Sequence, residues 1–242
     1  MTTHGNIHPH PHLTSTMSIP HDLIPRVAAY VKQHMDQNDG SHDYNHIKRV
    51  LGLARHIAAQ LPAPPLLDPT VITLSALLHD IGDRKYLREG ESSDTAVHNL
   101  LVALGAPGEL AEKIQTICAA VSYSTEVRDR ERVRRLVQEY PELGVVQDAD
   151  RLDALGAVGI GRVFMYGGAR TGRGLEGFVE MFEMKLLLLE AGMKTDPGRE
   201  MARIRTERLR AFKRWWEEER GMMVEEGEIM GEQDGDRSDI AM

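Results

Sequence analysis

Val71-Ile-Thr-Leu-Ser-Ala-Leu-Leu-His79-Asp80-Ile-Gly-Asp83 is the stretch whose reading decides the fold. Val71, Leu74, Leu78 and Ile81 recur at helical spacing, while Ile72, Ala76 and Leu77 fill much of the remaining circumference. A helix that is apolar nearly all round belongs inside a core. This one delivers an adjacent His79 and Asp80, then stops at Gly82. An ionised carboxylate at the end of a buried helix is strongly disfavoured unless a cation or hydrogen bonds compensate it. A metal ion is one such compensation, and a His-Asp pair can ligate it.

The segments on either side read as further helices. On the amino side, residues 20–37 place Leu23, Val27, Tyr30, Val31 and His34 near one face, and Asn38-Asp-Gly40 makes a turn. Residues 43–61 carry a stripe of Ile47, Val50, Leu51, Ala54, Ile57, Ala58 and Leu61. His42, His46 and Arg49 fall at i, i+4 and i+7, so one edge beside that stripe carries all three. Pro62, Pro64 and Pro65 break the chain before the central helix, and Asp83 to Tyr86 form a polar loop after it. Helices are expected over 93–104, 107–121 and 128–140, the last a charged surface helix. Leu143 to Gly161 is a second unusual stretch, with Asp148, Asp150 and Asp153 in an apolar, small-residue context. Its Gly156, Gly159 and Gly161 let another element approach closely. Residues 167–174 read as a glycine-rich loop, and 178–191 and 199–220 as helices. No strand alternates and no repeat is visible. The expectation is one all-α domain over 20–220, with a disordered His/Pro-rich tail (1–19) and an acidic disordered tail (221–242).

Composition narrows the function. At 242 residues, with 41% hydrophobic and 27% charged residues, the chain can bury a substantial core. A net charge of −8 argues against polymeric nucleic acid as a partner. The run Leu186 to Leu189 is far too short to span a bilayer, and no secretory signal is visible, so no membrane partner and a cytoplasmic setting are expected. Cys118 is the single cysteine, which excludes an intramolecular disulfide and a thiolate zinc site; its neighbours Ile114, Ile117 and Val121 make it a core thiol. Oligomeric state is not legible.

Candidate ligands assemble by side-chain type. His46, His79, Asp80 and Asp150 make two nitrogens and two carboxylates, a mixed set that suits Mn, Mg and several other divalent metals. Four protein groups around an octahedral ion keep positions open for water or substrate oxygen.

The order His46 … His79-Asp80 … Asp150 resembles the HD-domain phosphohydrolase superfamily. His46-Ile-Lys-Arg-Val50 resembles the family's first-histidine helix, and Ala149-Asp150-Arg-Leu the place of its final aspartate. That match implies His46 rather than His42, and Asp150 rather than Asp148 or Asp153, as metal ligands. A narrower resemblance over residues 41–219 is to a soluble single-domain branch linked to nucleotide pyrophosphohydrolysis. It rests on the motif that runs from Ser41 to Val50, on Val121-Ser-Tyr123-Ser, on Asp148 to Gly161 and on Lys185-Leu-Leu.

The resemblance implies an HD-type helical bundle and a phosphohydrolase that uses one divalent cation, Mn or Mg, on a small phosphorylated substrate such as a nucleotide. Water bound to the metal attacks phosphorus. Asp83, three residues after Asp80, matches an acid that positions water or protonates the leaving group in related phosphatases. His42, Arg49, Lys85 and Arg151 are candidate substrate contacts, because phosphoryl transfer is mostly positioning plus charge neutralisation. Arg170 and Arg173 could close over a substrate, and His56 and His98 read as structural. Two alternatives remain. One is a non-catalytic nucleotide sensor on the same fold. The other is an HD-fold oxygenase, which needs additional histidines; His98 is the only one between His79 and Asp150, and none follows it.

Overall fold

The structure, a computed structural model, describes residues 18–35, 43–62, 67–82, 92–170, 179, 185–224 and 229. The architecture is all-α, and no strand occurs among the described residues. In chain order the helices are α1 (Leu23–Met35), α2 (Tyr44–Gln60), α3 (Pro69–Leu78), α4 (Ala96–Ala103), α5 (Gly108–Val121), α6 (Tyr123–Arg128), α7 (Arg130–Glu139), α8 (Pro141–Asp153) and α9 (Gly156–Arg170). Two short 3-10 turns, Leu186–Leu188 and Glu190–Gly192, precede the long α10 (Asp196–Arg220).

Local chemistry sets the helix starts. Asp43 caps α2 by accepting from the His46 backbone N–H at 3.0 Å, and Asp68 caps α3 by accepting from Thr70 N–H at 2.7 Å, with Pro69 in the first turn. Between them these caps satisfy orphan amides at the two helix ends that begin the site-bearing segments.

The central helix is α3. All eight residues from Val71 to Leu78 are buried, and α3 packs against α1, α2, α5 and α8. Each fully buried Val, Leu or Ile contributes about 1.5–3 kcal/mol over leaving it in water, so a helix apolar all round is placed where it is enclosed on every side. The second buried helix is α8, which touches α2, α3, α5, α7, α9 and α10 and buries eleven of its thirteen residues. By contrast α7, charged as expected, buries only Val133.

Three elements differ from the sequence expectation. The charged helix expected over 128–140 forms as α7 over 130–139, and the short α6 before it is unexpected: Asp129 ends α6 and its carboxylate caps α7 through Arg132 N–H at 3.0 Å. Its side chain competes for a backbone amide more effectively than helix propensity can override. The glycine-rich stretch begins inside α9, which runs through Arg170; glycine costs helix stability without forbidding it. Where a helix is expected over 178–191, the described part forms the two 3-10 turns Leu186–Leu188 and Glu190–Gly192 instead. Residues 171–178 and 180–184, His42, Asp83, Lys85, Arg173 and all but a few positions of the two expected tails lie outside the described residues.

The expected close approaches occur at two of the three glycines. Gly156 turns the chain from α8 into α9 at φ 70° with Arg205 beside it, and a Cβ on Gly159 would collide with the Ala154 carbonyl. Gly161 faces open space.

The carboxyl-terminal helix is fastened to α8 by Asp148. Its carboxylate accepts from Lys194 N–H, Thr195 N–H (both 2.8 Å) and the Thr195 hydroxyl (2.7 Å), and that hydroxyl in turn accepts from Gly198 N–H at 3.0 Å. Gly198 is required there. A Cβ on it would overlap Asp148 Oδ2 and sit 2.7 Å from Thr195 Oγ1. In an ordinary helix Gly→Ala stabilises by up to about 1 kcal/mol. Here Gly198→Ala is expected to destabilise by about 1–3 kcal/mol through overpacking, read as a lowered Tm; a raised Tm would show that the clamp has room.

Candidate metal centre

Three elements converge on one point. His46 sits in the first turn of α2, His79 and Asp80 follow the last turn of α3, and Asp150 lies on α8. Both histidines are nearly inaccessible, with side-chain exposures of 1% and 2%, whereas Asp80 (17%) and Asp150 (27%) reach partly into solvent.

Hydrogen bonding decides which nitrogen each ring presents. The His79 Nδ1 lies 3.0 Å from the Ala76 carbonyl oxygen, which can only accept, so Nδ1 carries the hydrogen. The His46 Nδ1 lies 2.8 Å from Asp153 Oδ2, a carboxylate that likewise only accepts. In the neutral rings each Nε2 therefore carries the lone pair, and the two Nε2 atoms face each other at 3.2 Å. Two lone pairs at that separation repel unless a proton or a cation lies near both.

Carboxylates surround the same point. Asp80 Oδ2 is 3.4 Å from His46 Nε2 and Asp80 Oδ1 is 3.4 Å from His79 Nε2. Asp150 Oδ1 is 3.6 and 3.7 Å from the two. The donor atoms of His46, His79 and Asp150 lie within 4.8 Å of one another, an arrangement that fits a metal ion. Imidazole nitrogen with carboxylate oxygen suits a divalent transition metal or Mg.

Asp153 is spoken for. Arg49 Nε and a terminal nitrogen hold its two oxygens at 2.7 and 3.0 Å, and Arg162 reaches Oδ2 at 3.0 Å. Burial opposes ionisation of Asp153, but the bonds from His46 and Arg49 and the charge of Arg162 hold its carboxyl far below the usual range. Asp153 is therefore a neutralised buried anion whose task is to aim His46. Burial also opposes protonation of His46, yet Asp153 and Asp80 outweigh it and raise that imidazole to about 9. The proton so favoured occupies the place a cation would take.

A cavity of about 320 Å3 opens beside the cluster. His79, Asp80 and Asp150 line it, and so do Ser122, Thr125, Arg128 and Arg132.

The expected residues thus divide. His46, His79, Asp80 and Asp150 come together. Arg49 grips Asp153 instead of standing ready for a phosphate. Arg151 is corrected more sharply: it is buried, donating to Glu126 Oε2 at 2.5 Å and to the Gly192 carbonyl at 2.9 Å. Consecutive helical residues point about 100° apart, so Asp150 at the cluster sends Arg151 elsewhere. His98 does not line the cavity; its Nδ1 lies 3.3 Å from Asn99 Oδ1. Sequence reasoning missed Asp153, Arg162, Arg128 and Arg132. A signal existed for the first. His46 and Arg49 are one turn apart on α2, as Asp150 and Asp153 are on α8, and these two helices pack together.

Residues 43–155 match the model of the HD domain family. The chain is also 34% identical over 198 residues to the uncharacterized protein YpgQ of Bacillus subtilis (strain 168), a match that covers 80% of this chain and 92% of YpgQ. The chain belongs to the HD domain family. Among solved structures, that of YpgQ in complex with ADP superposes with a TM-score of 0.65 at 33% identity, covering 82% of this chain and 95% of that one. An HD-superfamily hydrolase of Bacillus thuringiensis superposes with a TM-score of 0.61 at 28% identity, covering 83% and 97%. The fold of this chain is thus that of HD-superfamily hydrolases. No helix among the described residues is long and apolar enough to cross a membrane.

Two outcomes follow for the HD centre. Asp153→Asn removes the charge behind His46, and Mn2+ affinity by calorimetry is expected to fall roughly 10–100-fold with the helical circular dichroism spectrum retained. Metal must also displace the proton held on His46, whose pKa is raised from 6.5 to about 9. Apparent Mn2+ affinity is therefore expected to rise with pH, approaching about tenfold per unit and levelling off above about 9, with proton release on binding. A flat profile between pH 7 and 9 would show that His46 is already deprotonated.

Proposed function

We propose that the protein is a divalent-metal-dependent phosphohydrolase acting on a small phosphorylated substrate, specifically a nucleotide. One observation carries this reading. Two imidazoles with facing Nε2 atoms and two carboxylates meet at the wall of a cavity that also presents arginines. YpgQ, which has been crystallised in complex with ADP, supports a nucleotide ligand for this chain as well.

When bound there, a divalent cation supplies Lewis acidity, which lowers the pKa of a coordinated water and offsets charge at phosphorus. The chain supplies the rest. His46 and His79 fix position through rings locked by Asp153 and the Ala76 carbonyl. Asp80 and Asp150 balance the charge of the cation. In the hydrolysis proposed, an oxygen–phosphorus bond forms from water as the bond to the leaving oxygen breaks, and a proton must reach that oxygen. Asp83, one residue beyond the cavity-lining Gly82, is the sequence-derived candidate to carry it. His42 and Lys85 remain sequence-derived candidates for substrate contact. Mn2+ or Mg2+ is the proposed cofactor, since the two carboxylates suit either.

Protein stripped of metal and resupplied with Mn2+ or Mg2+ is expected to release phosphate or pyrophosphate from at least one member of a nucleotide panel. Asp80→Ala should reduce that rate by roughly a thousandfold or more. Asp83→Asn should lower kcat roughly a hundredfold with metal content unchanged. Metal and nucleotide bound by the wild-type protein without turnover of any nucleotide would overturn the hydrolase reading in favour of a sensor.

A further inference from the structure

The long α10 presents one regular stripe to solvent. Ile204, Arg208, Ala211, Trp215 and Glu218 recur along it at alternating steps of four and three, and Met222 continues the series in the turn beyond the Gly221 cap. That spacing is a heptad seam, a line along one side of a helix. Five of the six are exposed and Ala211 is half-buried. Trp215 stands out at 61% exposure, a large apolar surface given to water. Its neighbour Trp216 turns instead to Phe164 and Phe212, with ring centroids 6.1 and 6.2 Å away.

The neighbouring α9 widens this face. It lies beside α10, with Arg205 against Gly156 and Phe212 against Phe164. Its outward residues Ala157, Val158, Gly161 and Met165 carry no charge, in a chain with 27% charged residues. On the helical wheel Ala157 and Gly161 sit next to Phe164, and Arg208 and Trp215 sit next to Phe212, each turned away from the buried Val163 or Leu209. Both stripes therefore border the line where the two helices meet. A Cβ on Gly161 would touch nothing within 4 Å, so the close approach its sequence context implies is not made within the chain. An exposed apolar strip rimmed by charge marks a contact surface.

The seam is its own complement. Reversed about residue 213, Ile204 meets Met222, Arg208 meets Glu218 and Ala211 meets Trp215. Apolar falls on apolar, cation on anion, and the smallest side chain on the largest, as interdigitated packing requires. A twofold axis demands that relation, because each contact occurs twice with the partners exchanged. Parallel pairing would instead set Arg208 on Arg208 and Glu218 on Glu218. Neither of these charges has an ion pair among the described residues, although Arg203 and Lys213 of the same helix are paired with Glu207 and Glu217. A nucleic acid or an anionic membrane would meet Glu218 flanked by Glu217 and Glu219, which repels it. A second copy of the chain brings the reversed order of charge and size that this face lacks.

We infer that α10 is the contact helix of a homodimer, packed antiparallel against α10 of a second copy across this seam. None of the seam residues lines the cavity beside the cation site, so the interface is independent of the phosphohydrolase reading. Sedimentation of the full-length protein across the micromolar range tests it, for the wild type, Trp215→Ala, Arg208→Glu, Glu218→Arg and the charge-swapped double variant. The wild type is expected as a particle of twice 27.1 kDa. Trp215→Ala should weaken the dimer roughly a hundredfold, as loss of a central aromatic anchor does. Either single charge reversal should weaken it roughly tenfold or more, because the twofold axis turns one substitution into two like-charge pairs. The double variant restores opposite charges across the seam, and its affinity should return to within roughly threefold of the wild type. All three substituted positions are exposed, and an unchanged helical circular dichroism spectrum separates lost association from lost fold. A monomeric wild type would overturn the homodimer. A dimer insensitive to Trp215→Ala, or a double variant no tighter than the single reversals, would overturn the antiparallel seam.

Discussion

Two imidazole Nε2 atoms, held 3.2 Å apart inside a helical core, form the constraint on which the rest of this protein depends. Their rings cannot turn away, because each Nδ1–H is bonded behind it, one to Asp153 and one to the Ala76 carbonyl. Repulsion between the two nitrogens is relieved only by a positive species near both. The flanking carboxylates of Asp80 and Asp150 add two negative charges, which suits a divalent cation there. Burial strengthens the demand, since a low-dielectric surrounding magnifies unbalanced charge.

The protein separates this demand from a second buried charge a few ångströms away. Asp153 could have been another ligand, but Arg49 and Arg162 neutralise it and leave it one function, to orient His46. Carboxylates on α8 therefore serve three ends within six residues. Asp148 fastens α10, Asp150 faces the cation site, and Asp153 aims a ligand. Their different directions come from helix geometry alone: Asp150 and Asp153 are one turn apart, so they share a face toward α2, whereas Asp148 points across to Thr195. Arg151, between them, turns to Glu126 and so couples the helix that carries Asp150 to the segment that carries Glu126.

Much of this was legible in the residues themselves. The all-round apolar run of Val71 to Leu78 required a central helix, and the His-Asp that ends it required compensation. His46 and Asp150 were also readable, as ligand types in family order. Gly156 and Gly159 carried the signal of close approach that the structure bears out, while Gly161 carried the same signal without the contact. The charged helix expected over 128–140 forms over 130–139, its start set two residues later by the side-chain cap at Asp129. Arg49 and Arg151 were misread because a cation near a ligand looks alike in sequence, whether it faces a substrate or a buried acid.

The sequence by itself determined the layers. Hydrophobic periodicity states which face of each helix is buried, and a helix buried all round has only one place to go. It also determined the donor types available for a cation, because those are properties of single side chains. Only the tertiary structure decided which acid is gripped by Arg49 and orients a histidine, and which acid the buried Arg151 pairs with. Those assignments are made by distances between residues about 25 to 107 positions apart in the chain, and a charge acquires its role from the partner the fold brings within about 3 Å of it.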